Sequence, residues 1–389
     1  MMIRNNKSIA IMAALGLAVA LAACGSPAAV TAPPPVPGQT SAPSATAAGP
    51  SGGLVPSGGA AAPEAISPDN LDRLNMLFEI KLPSFMTALS FSPDGKYLAV
   101  GTAKGGFIFD LASQQQVAAF AAGAPLFGVG WSPDSKLAVG SPGAAPKGAL
   151  VVWDVAANAE SGLLKDKLAA QSVLAFSPDG SQAASGGASG VVTVWNLSSG
   201  SQAASFNVTD AGADASAGQP RVSSLAFSGD GKTLFVGASG GTDETLLWDL
   251  STGKALPKPK PGTHAAGPVA TALFAPGDLG HVYWWSRGDI VAVDLASDKE
   301  TGRLHTEDII QSAAFSPDGK LLAAASAGSQ NGSMAPLVKL WNTASGQDAK
   351  VLTGLTQIPT AMAFSPDGTR LALGIGGEGI AIWGLVQNK

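Results

Sequence analysis

The sequence has one cysteine, Cys24, among 389 residues, and only three histidines and two tyrosines. One cysteine excludes an internal disulfide, so burial of apolar surface has to hold the fold together. The histidines, His264, His281 and His305, are too far apart for metal-ligand spacing. Charged residues make up 13% of the chain, and lysine and arginine form no cluster able to neutralise phosphates. We therefore expect no metal site and no nucleic-acid partner.

Catalytic patterns are equally scarce. Gly237-Ala-Ser239-Gly-Gly241 fits a G-x-S-x-G pattern, but it is predicted as a β-turn followed by a strand rather than the strand-to-helix elbow of a hydrolase. Gly231-Lys-Thr233 resembles the end of a phosphate loop, yet Ala226 replaces the first glycine and no helix is predicted to follow. We predict no catalytic residues, no enzymatic activity and no cofactor.

One short segment recurs along most of the chain. Phe91-Ser-Pro-Asp-Gly-Lys96 is repeated, with variations, seven times at steps of about 40–50 residues, which indicates a repeat architecture. The repeats begin at Phe91, Trp131, Phe176, Phe227, Phe274, Phe315 and Phe364. A second marker follows each repeat, at Phe109, Trp153, Trp195, Trp248, Val293, Trp341 and Trp383. The sequence therefore contains seven similar units.

Each unit is predicted to contain four short strands. In the first unit, apolar runs at 86–91, 97–101, 106–111 and 116–120 are separated by turns of hairpin length. Proline fixes φ, aspartate hydrogen-bonds its own backbone, and glycine adopts positive φ, so Pro-Asp-Gly is well suited to close a hairpin. Antiparallel units of this kind leave unpaired edges unless they are arranged around an axis. The pattern predicts an all-β propeller with seven four-stranded antiparallel blades.

The Phe-Ser-Pro-Asp-Gly-Lys turn, the following Leu-Ala-x-Gly and the later Val-x-Val-Trp-Asp/Asn-Leu resemble the WD40-repeat family over roughly residues 74–386. The resemblance implies that strand d is the outermost in each blade. The last blade lacks its own strand d, and we expect residues 74–82 to supply it and close the ring. The predicted propeller domain is 67–389. The resemblance also implies a protein partner, and we expect a monomer.

The first 23 residues are predicted to be an export signal. Arg4 and Lys7 precede the apolar run Ile9–Ala23, which is shorter than the about 20 residues a spanning helix needs. Leu21-Ala-Ala-Cys24 resembles a bacterial lipobox, which implies cleavage before Cys24, acylation (palmitate among the chains) and a membrane anchor in the cell envelope. Residues 24–66 are rich in proline, alanine, serine and glycine, which predicts a disordered tether. Removal of Arg4 and Lys7 leaves 21 basic and 28 acidic residues, a net charge of −7.

The four strands of each blade are labelled a to d in chain order, with a innermost. Insertions are concentrated in the connections from d to the next a and from b to c, and these connections lie on the same face of an antiparallel blade. The longest are predicted at 141–148, 209–221, 237–244, 258–268 and 326–336. Because binding residues are often carried on loops of a rigid scaffold, this face is the predicted partner site. Candidate contacts are Asp243, Glu244 and Arg287, with solvated turns as the alternative. Trp284 and Trp285 are either further contacts at the channel mouth or packing residues between blades.

The sequence thus favours a membrane-anchored, extracytoplasmic protein-interaction scaffold. Two alternatives stay open at this point. One is a propeller that binds or hydrolyses a small molecule or glycan at its central channel, and the other is an assembly factor for envelope proteins. Polar clusters on the inner strands would favour the first, whereas the inner strands of this chain are almost wholly apolar.

Overall fold

A computed structural model describes residues 63–121, 123–142, 151–161, 173–213, 215, 220–239, 244–256, 271–276, 278, 280–286, 288–294, 297, 299–306, 309–330, 333–375 and 379–387. These residues form seven four-stranded antiparallel sheets and a 3₁₀ helix, Leu71–Arg73. The predicted seven-bladed β-propeller is confirmed. None of the helical structure in these ranges is long and apolar enough to cross a membrane.

The strands of blades 1 to 6 follow one another in the chain, whereas blade 7 combines the first strand of the chain with the last three. The first strands of successive blades pack against each other from blade 1 to blade 5, between blades 6 and 7, and between blades 7 and 1. The first strand in the chain, β1 (Leu74–Lys81), belongs to blade 7. Blade 1 has β2 (Met86–Phe91), β3 (Tyr97–Thr102), β4 (Gly105–Asp110) and β5 (Gln115–Phe120). Blade 2 has β6 (Leu126–Trp131), β7 (Leu137–Pro142), β8 (Val151–Asp154) and β9 (Ala159–Glu160). Blade 3 has β10 (Val173–Phe176), β11 (Gln182–Gly186), β12 (Val191–Asn196) and β13 (Gln202–Asn207).

The remaining blades keep the same order. Blade 4 has β14 (Arg221–Phe227), β15 (Thr233–Ser239), β16 (Glu244–Asp249) and β17 (Lys254–Ala255). Blade 5 has β18 (Thr271–Leu273), β19 (His281–Ser286), β20 (Asp289–Asp294) and β21 (Lys299–His305). Blade 6 has β22 (Ser312–Phe315), β23 (Leu321–Gln330), β24 (Ser333–Asn342) and β25 (Gln347–Leu352). Blade 7 is completed by β26 (Met362–Phe364), β27 (Arg370–Ile375) and β28 (Gly379–Leu385).

The ring is closed by β1, as the sequence predicts. This strand pairs antiparallel with β28, from Leu74 opposite Leu385 to Lys81 opposite Gly379. Leu74 is buried in a core shared by blades 6 and 7, whereas Ile80 is buried in the core shared by blades 7 and 1. One strand therefore joins three blades and covers the edge that β28 would otherwise expose.

The Ser-Pro-Asp-Gly turns between strands a and b share one hydrogen-bond pattern. In blade 1 the Ser92 hydroxyl donates to the Asp94 carboxylate at 2.6 Å and accepts the Tyr97 N–H at 2.9 Å. The same serine–aspartate bond recurs in blades 2, 3, 4, 6 and 7. Hydrogen bonds from Ser132 and Lys136 lower the pKa of Asp134 to about 2, so this turn keeps its ionised acceptor far into the acid range.

The repeated aromatic residues are buried between blades, and each needs room on the neighbouring inner strand. A Cβ added to Gly130 in β6 would lie 1.8 Å from the Phe176 ring of blade 3. Trp131 in turn donates its indole N–H to the Ser90 carbonyl of blade 1 at 3.0 Å. The position before the aromatic is small in six blades: Ser90, Gly130, Ala175, Ala226, Ala314 and Ala363. These small residues set the spacing between blades.

One predicted loop is in fact a β-hairpin. Residues 326–336 were expected to form a long b–c connection, but β23 and β24 are ten residues each and stay paired from Leu321–Asn342 to Gln330–Ser333. The hairpin extends about 16 Å beyond the last residue pair with β22. Pro336 lies on this extension outside the reach of β25, where a missing N–H is tolerated. The small residues of this hairpin are typical of a loop in composition, but they form paired strands.

Candidate functional site

The antiparallel order of the strands gives the ring two distinct faces. The d–a and b–c connections emerge on one, here called the variable face, and the a–b and c–d connections emerge on the other, here called the turn face. The variable face is the site predicted from sequence. Of its long connections, much of 143–150, 162–172, 214–219, 240–243 and 257–270 lies outside the described residues.

The residues predicted from sequence do not form one described cluster. Asp243 and Arg287 are beyond the part of the chain that the structure describes. Glu244 is the first residue of β16 and is paired with Ala238, and Trp284 is paired with Ala272 and Val291 in blade 5. Glu244 and Trp284 belong to strands of blades 4 and 5 that lead to or from b–c connections on the variable face.

Trp285 is a packing residue. Its side chain is 2% exposed and lies in the core between blades 5 and 6, with Phe315 and Trp341 in the same cluster. Of the two readings of Trp285 left open by the sequence, burial between blades is the one its environment supports, since a side chain this buried offers no surface to a partner.

A charged cluster lies beside the predicted site in blade 5, and the sequence analysis missed it. Arg303 donates to Asp289 at 2.6 Å and to Glu300 at 2.7 Å, and the His305 ring lies 2.7 Å from Asp289. Burial raises the pKa of Asp289, but the hydrogen bonds from His305 and Arg303 outweigh it and lower the pKa overall. The hydrogen bonds that Arg303 makes to Glu300 and, to a smaller extent, to Asp289 raise the pKa of Arg303. In the sequence these charged residues only alternate with other residues along two separate strands. They form a cluster only when β20 and β21 pair in the observed register.

The variable face of blades 1 and 6 displays large apolar side chains. Phe85 in the connection from blade 7 to blade 1, Ile309 before β22 and Met334 on the blade 6 hairpin are each about half exposed. All three lie on connections or on the hairpin rather than on the sheets of the ring. Composition gave no reason to single them out, because apolar residues are abundant throughout the chain.

The segment that precedes β1 is bound to the turn face. The Ile66 N–H donates to the Gly368 carbonyl at 2.9 Å, in an a–b turn of blade 7, and the Val386 N–H donates to the Arg73 carbonyl at 3.0 Å. Arg73 forms an ion pair with Glu64 at 2.6 Å, and Ile66 is buried in the core of blades 6 and 7. The described part of the chain therefore begins on the turn face.

The polar group closest to a chemical site lies on the turn face of blade 5. Asp278 accepts the backbone N–H groups of Gly280 and His281, and the His281 ring lies 2.9 Å from its carboxylate and 4.0 Å from Asp294. Burial, followed by the charge of Asp278, raises the pKa of Tyr283. These bonds organise the turn that replaces Ser-Pro-Asp-Gly in this blade. Within the described ranges, no group of three or more His, Cys, Asp or Glu residues is arranged to hold a metal.

Comparison with known proteins agrees with this architecture. The family model described as "WD domain, G-beta repeat" matches residues 169–196 and 299–342. The matches cover strands of blades 3, 5 and 6. No curated protein matches the chain.

Proposed function

Since both the repeat matches and the seven-bladed ring support the WD40 β-propeller family, we propose that this chain is a protein-interaction scaffold that binds a partner through its variable face. The observation that carries the proposal is the closed ring itself, in which β1 pairs with β28 of blade 7 and so holds the blades in fixed relative positions. WD40 propellers generally act as non-catalytic scaffolds, and this one is proposed to work in the same way.

The proposed mechanism is rigid presentation. Binding costs less when the contacting residues are already ordered, because less side-chain and loop entropy is lost on association. In this ring the backbone of each connection starts and ends in a hydrogen-bonded strand. The variable face can therefore present several short connections in fixed relative positions, which suits recognition of a folded partner.

We further propose that the scaffold is exported and anchored to a membrane of the bacterial envelope through acylated Cys24. The support is the apolar leader with its Leu-Ala-Ala-Cys end, and the composition of residues 24–62, all of which precede the described residues. The bound segment Glu64–Arg73 places the start of the described chain on the turn face. A flexible tether joined there would hold the ring near the membrane without fixing its orientation.

Lipid anchoring predicts the behaviour of a Cys24→Ser variant. We expect the native protein to fractionate with membranes and to carry acyl chains, because several chains on one residue exceed the single chain that binds only marginally. The variant should lose the acyl mass and appear in the soluble fraction. Intact-mass spectrometry and fractionation measure both, with Ser26→Ala as the matched control. A native protein without added acyl mass would contradict the anchoring proposal.

The scaffold proposal is tested by chemical crosslinking in intact cells, followed by affinity capture and quantitative mass spectrometry. The variable-face variant carries Asp243→Lys, Glu244→Lys and Arg287→Glu. The control carries the same net change of charge away from that face, as Asp72→Lys, Lys96→Glu and Glu160→Lys.

We expect the native chain to enrich one or two proteins that the variable-face variant loses and the control retains. Partners that survive in both variants would place binding elsewhere on the ring. If the native chain enriches no protein over background, the scaffold proposal is wrong.

A further inference from the structure

Side chains in the connection from blade 7 to blade 1 alternate between buried and exposed positions. Leu82 and Ser84 are buried, whereas Pro83 and Phe85 are exposed, the latter at 49%. The strand period thus continues for four residues beyond β1, and it places a proline and a phenylalanine side by side on the variable face. We call Pro83 and Phe85 the apolar ridge. An aromatic side chain half in water stabilises the free protein less than a buried one would.

The backbone beneath the apolar ridge is fixed from blade 1. The Ala103 N–H donates to the Phe85 carbonyl at 3.0 Å, and the Lys104 ammonium donates to the Pro83 carbonyl at 3.3 Å. The turn that carries Ala103 and Lys104 is itself held by the next connection, because the Gly123 N–H donates to the Lys104 carbonyl at 2.9 Å. Three connections therefore form one hydrogen-bonded unit, and the ridge is ordered before any partner arrives.

Two lysines flank the apolar ridge. Lys81 ends β1 and Lys104 lies in the facing turn, and both are exposed. Neither makes an ion pair with the described residues, whereas Lys96, Lys136 and Lys320 on the turn face each pair with a turn aspartate. The chain as a whole carries a net charge of −5. The ridge is therefore an apolar patch with unpaired positive charge in an acidic protein.

We infer that the apolar ridge is the main contact point of the partner, and that the partner presents an apolar pocket rimmed by carboxylates. This inference rests on the proposed scaffold function. Phe85 would fill the pocket, since rigid aromatic side chains in desolvated pockets dominate interface energies. Lys81 and Lys104 would pair with the carboxylates, which adds association rate and orientation more than affinity. The contact uses a short, preordered connection rather than the long insertions.

The same chemistry could meet an anionic membrane, because aromatic and basic side chains also favour lipid surfaces. The net negative charge of the chain argues for a protein, because it opposes close approach to anionic lipid.

The position of the contact is tested by photocrosslinking in intact cells. A benzoylphenylalanine is placed at position 85. In matched proteins it is placed instead at Met334, at Ile309 or at Val351, the last of which is similarly exposed on the outer strand of blade 6. We expect one protein to be crosslinked at 85 and not at 351. Crosslinking to lipid at 85 would overturn the inference. A partner crosslinked from Met334 or Ile309 but not from 85 would also overturn it while leaving the scaffold function intact.

The chemistry of the contact is tested with the partner that the crosslinking identifies. This partner is purified without the crosslink and titrated against the full chain and its variants. We expect Phe85→Ala to weaken binding about 10-fold or more. We expect Lys81→Glu to weaken it several-fold, with the loss shrinking at high salt because screening removes exposed charge pairs. Lys81 makes no bond to the ridge, so it isolates charge from loop geometry, and Lys96→Glu on the turn face is the control.

Thermal unfolding checks that the variants are folded, which is expected because Phe85 and Lys81 are both exposed. Binding unchanged within twofold in Phe85→Ala and Lys81→Glu would show that the inference is wrong although the scaffold function stands. A crosslinked segment of the partner without aspartate or glutamate would overturn the proposed carboxylate rim. Absence of any enriched protein in the capture experiment is a failure of the scaffold function instead.

Discussion

Leu74→Asp is expected to abolish cooperative folding of the ring. Leu74 is 1% exposed and packs with Ile66 and Leu71 in the core of blades 6 and 7. A carboxylate at this position would be buried without a partner, and such changes cost about 4–5 kcal/mol or more. A whole domain is stable by only about 5–15 kcal/mol. Because β1 supplies the outer strand of blade 7, its release also exposes the edge of β28.

Urea unfolding followed by tryptophan fluorescence measures the loss, and limited proteolysis reports whether β1 has detached. Leu77→Asp is the matched control on the same strand, because Leu77 is 42% exposed beside the bulge at Met76 and Phe78. We expect this control to stay folded with a loss of about 1 kcal/mol at most. Equal stability of Leu74→Asp and the native chain would show that the ring does not depend on β1 for closure.

Gly130→Val is expected to lower the free energy of unfolding by about 3 kcal/mol. Even a single Cβ at this position would lie 1.8 Å from the Phe176 ring, so the extra methyl groups have to push blades 2 and 3 apart. Overpacking of a well-filled core costs about 1–3 kcal/mol and occasionally more. Phe176 is itself buried in the core between blades 2 and 3 and has little room to move. Urea unfolding monitored by circular dichroism gives the value.

Gly302→Val is the matched control for this prediction, since it places the same residue in another strand. A Cβ at Gly302 in β21 would meet no atom closer than the Ala292 Cβ at 3.8 Å. Valine also favours strands over glycine, so the control should be neutral or slightly stabilising. A Gly130→Val protein as stable as this control would mean that neighbouring blades are not held at the spacing described.

The arrangement of the ring changes how its variable face is understood. The lengths of the connections predicted a partner site on the long insertions of blades 2, 3, 4 and 6, whereas the contacts in the structure favour the short connections around blade 1. The turn at Ala103 and Lys104 is tied on one side to Phe85 and on the other to Gly123. Short, hydrogen-bonded connections lose little entropy on binding, and for that reason they can present an anchor such as Phe85 more effectively than a longer loop.

The residues of the candidate site illustrate how far sequence reasoning extends. The face was predictable, because the connections of an antiparallel blade alternate between two sides whatever their residues are. Individual contacts were not. Trp285 and Trp284 are adjacent and chemically identical, and the burial of Trp285 follows from its packing beside Phe315 of the next blade. Likewise, Phe85 is exposed because its neighbours Ser84 and Met86 face the core.

The sequence by itself determined the number of blades, the a–b turns and the strand that closes the ring. These features depend on local chemistry: Pro-Asp-Gly favours one turn, alternation favours strands, and a blade with three strands needs a fourth. Tertiary structure alone decided the small residue at Gly130, the ten-residue hairpin of blade 6, the bound segment at Ile66 and the exposed ridge at Phe85. Gly130 and Ile66 depend on contacts between residues far apart in the chain, and the hairpin depends on pairing that overrides composition. The ridge depends on the hydrogen bond that Ala103 donates to Phe85 across two connections. No local pattern specifies which surfaces will meet.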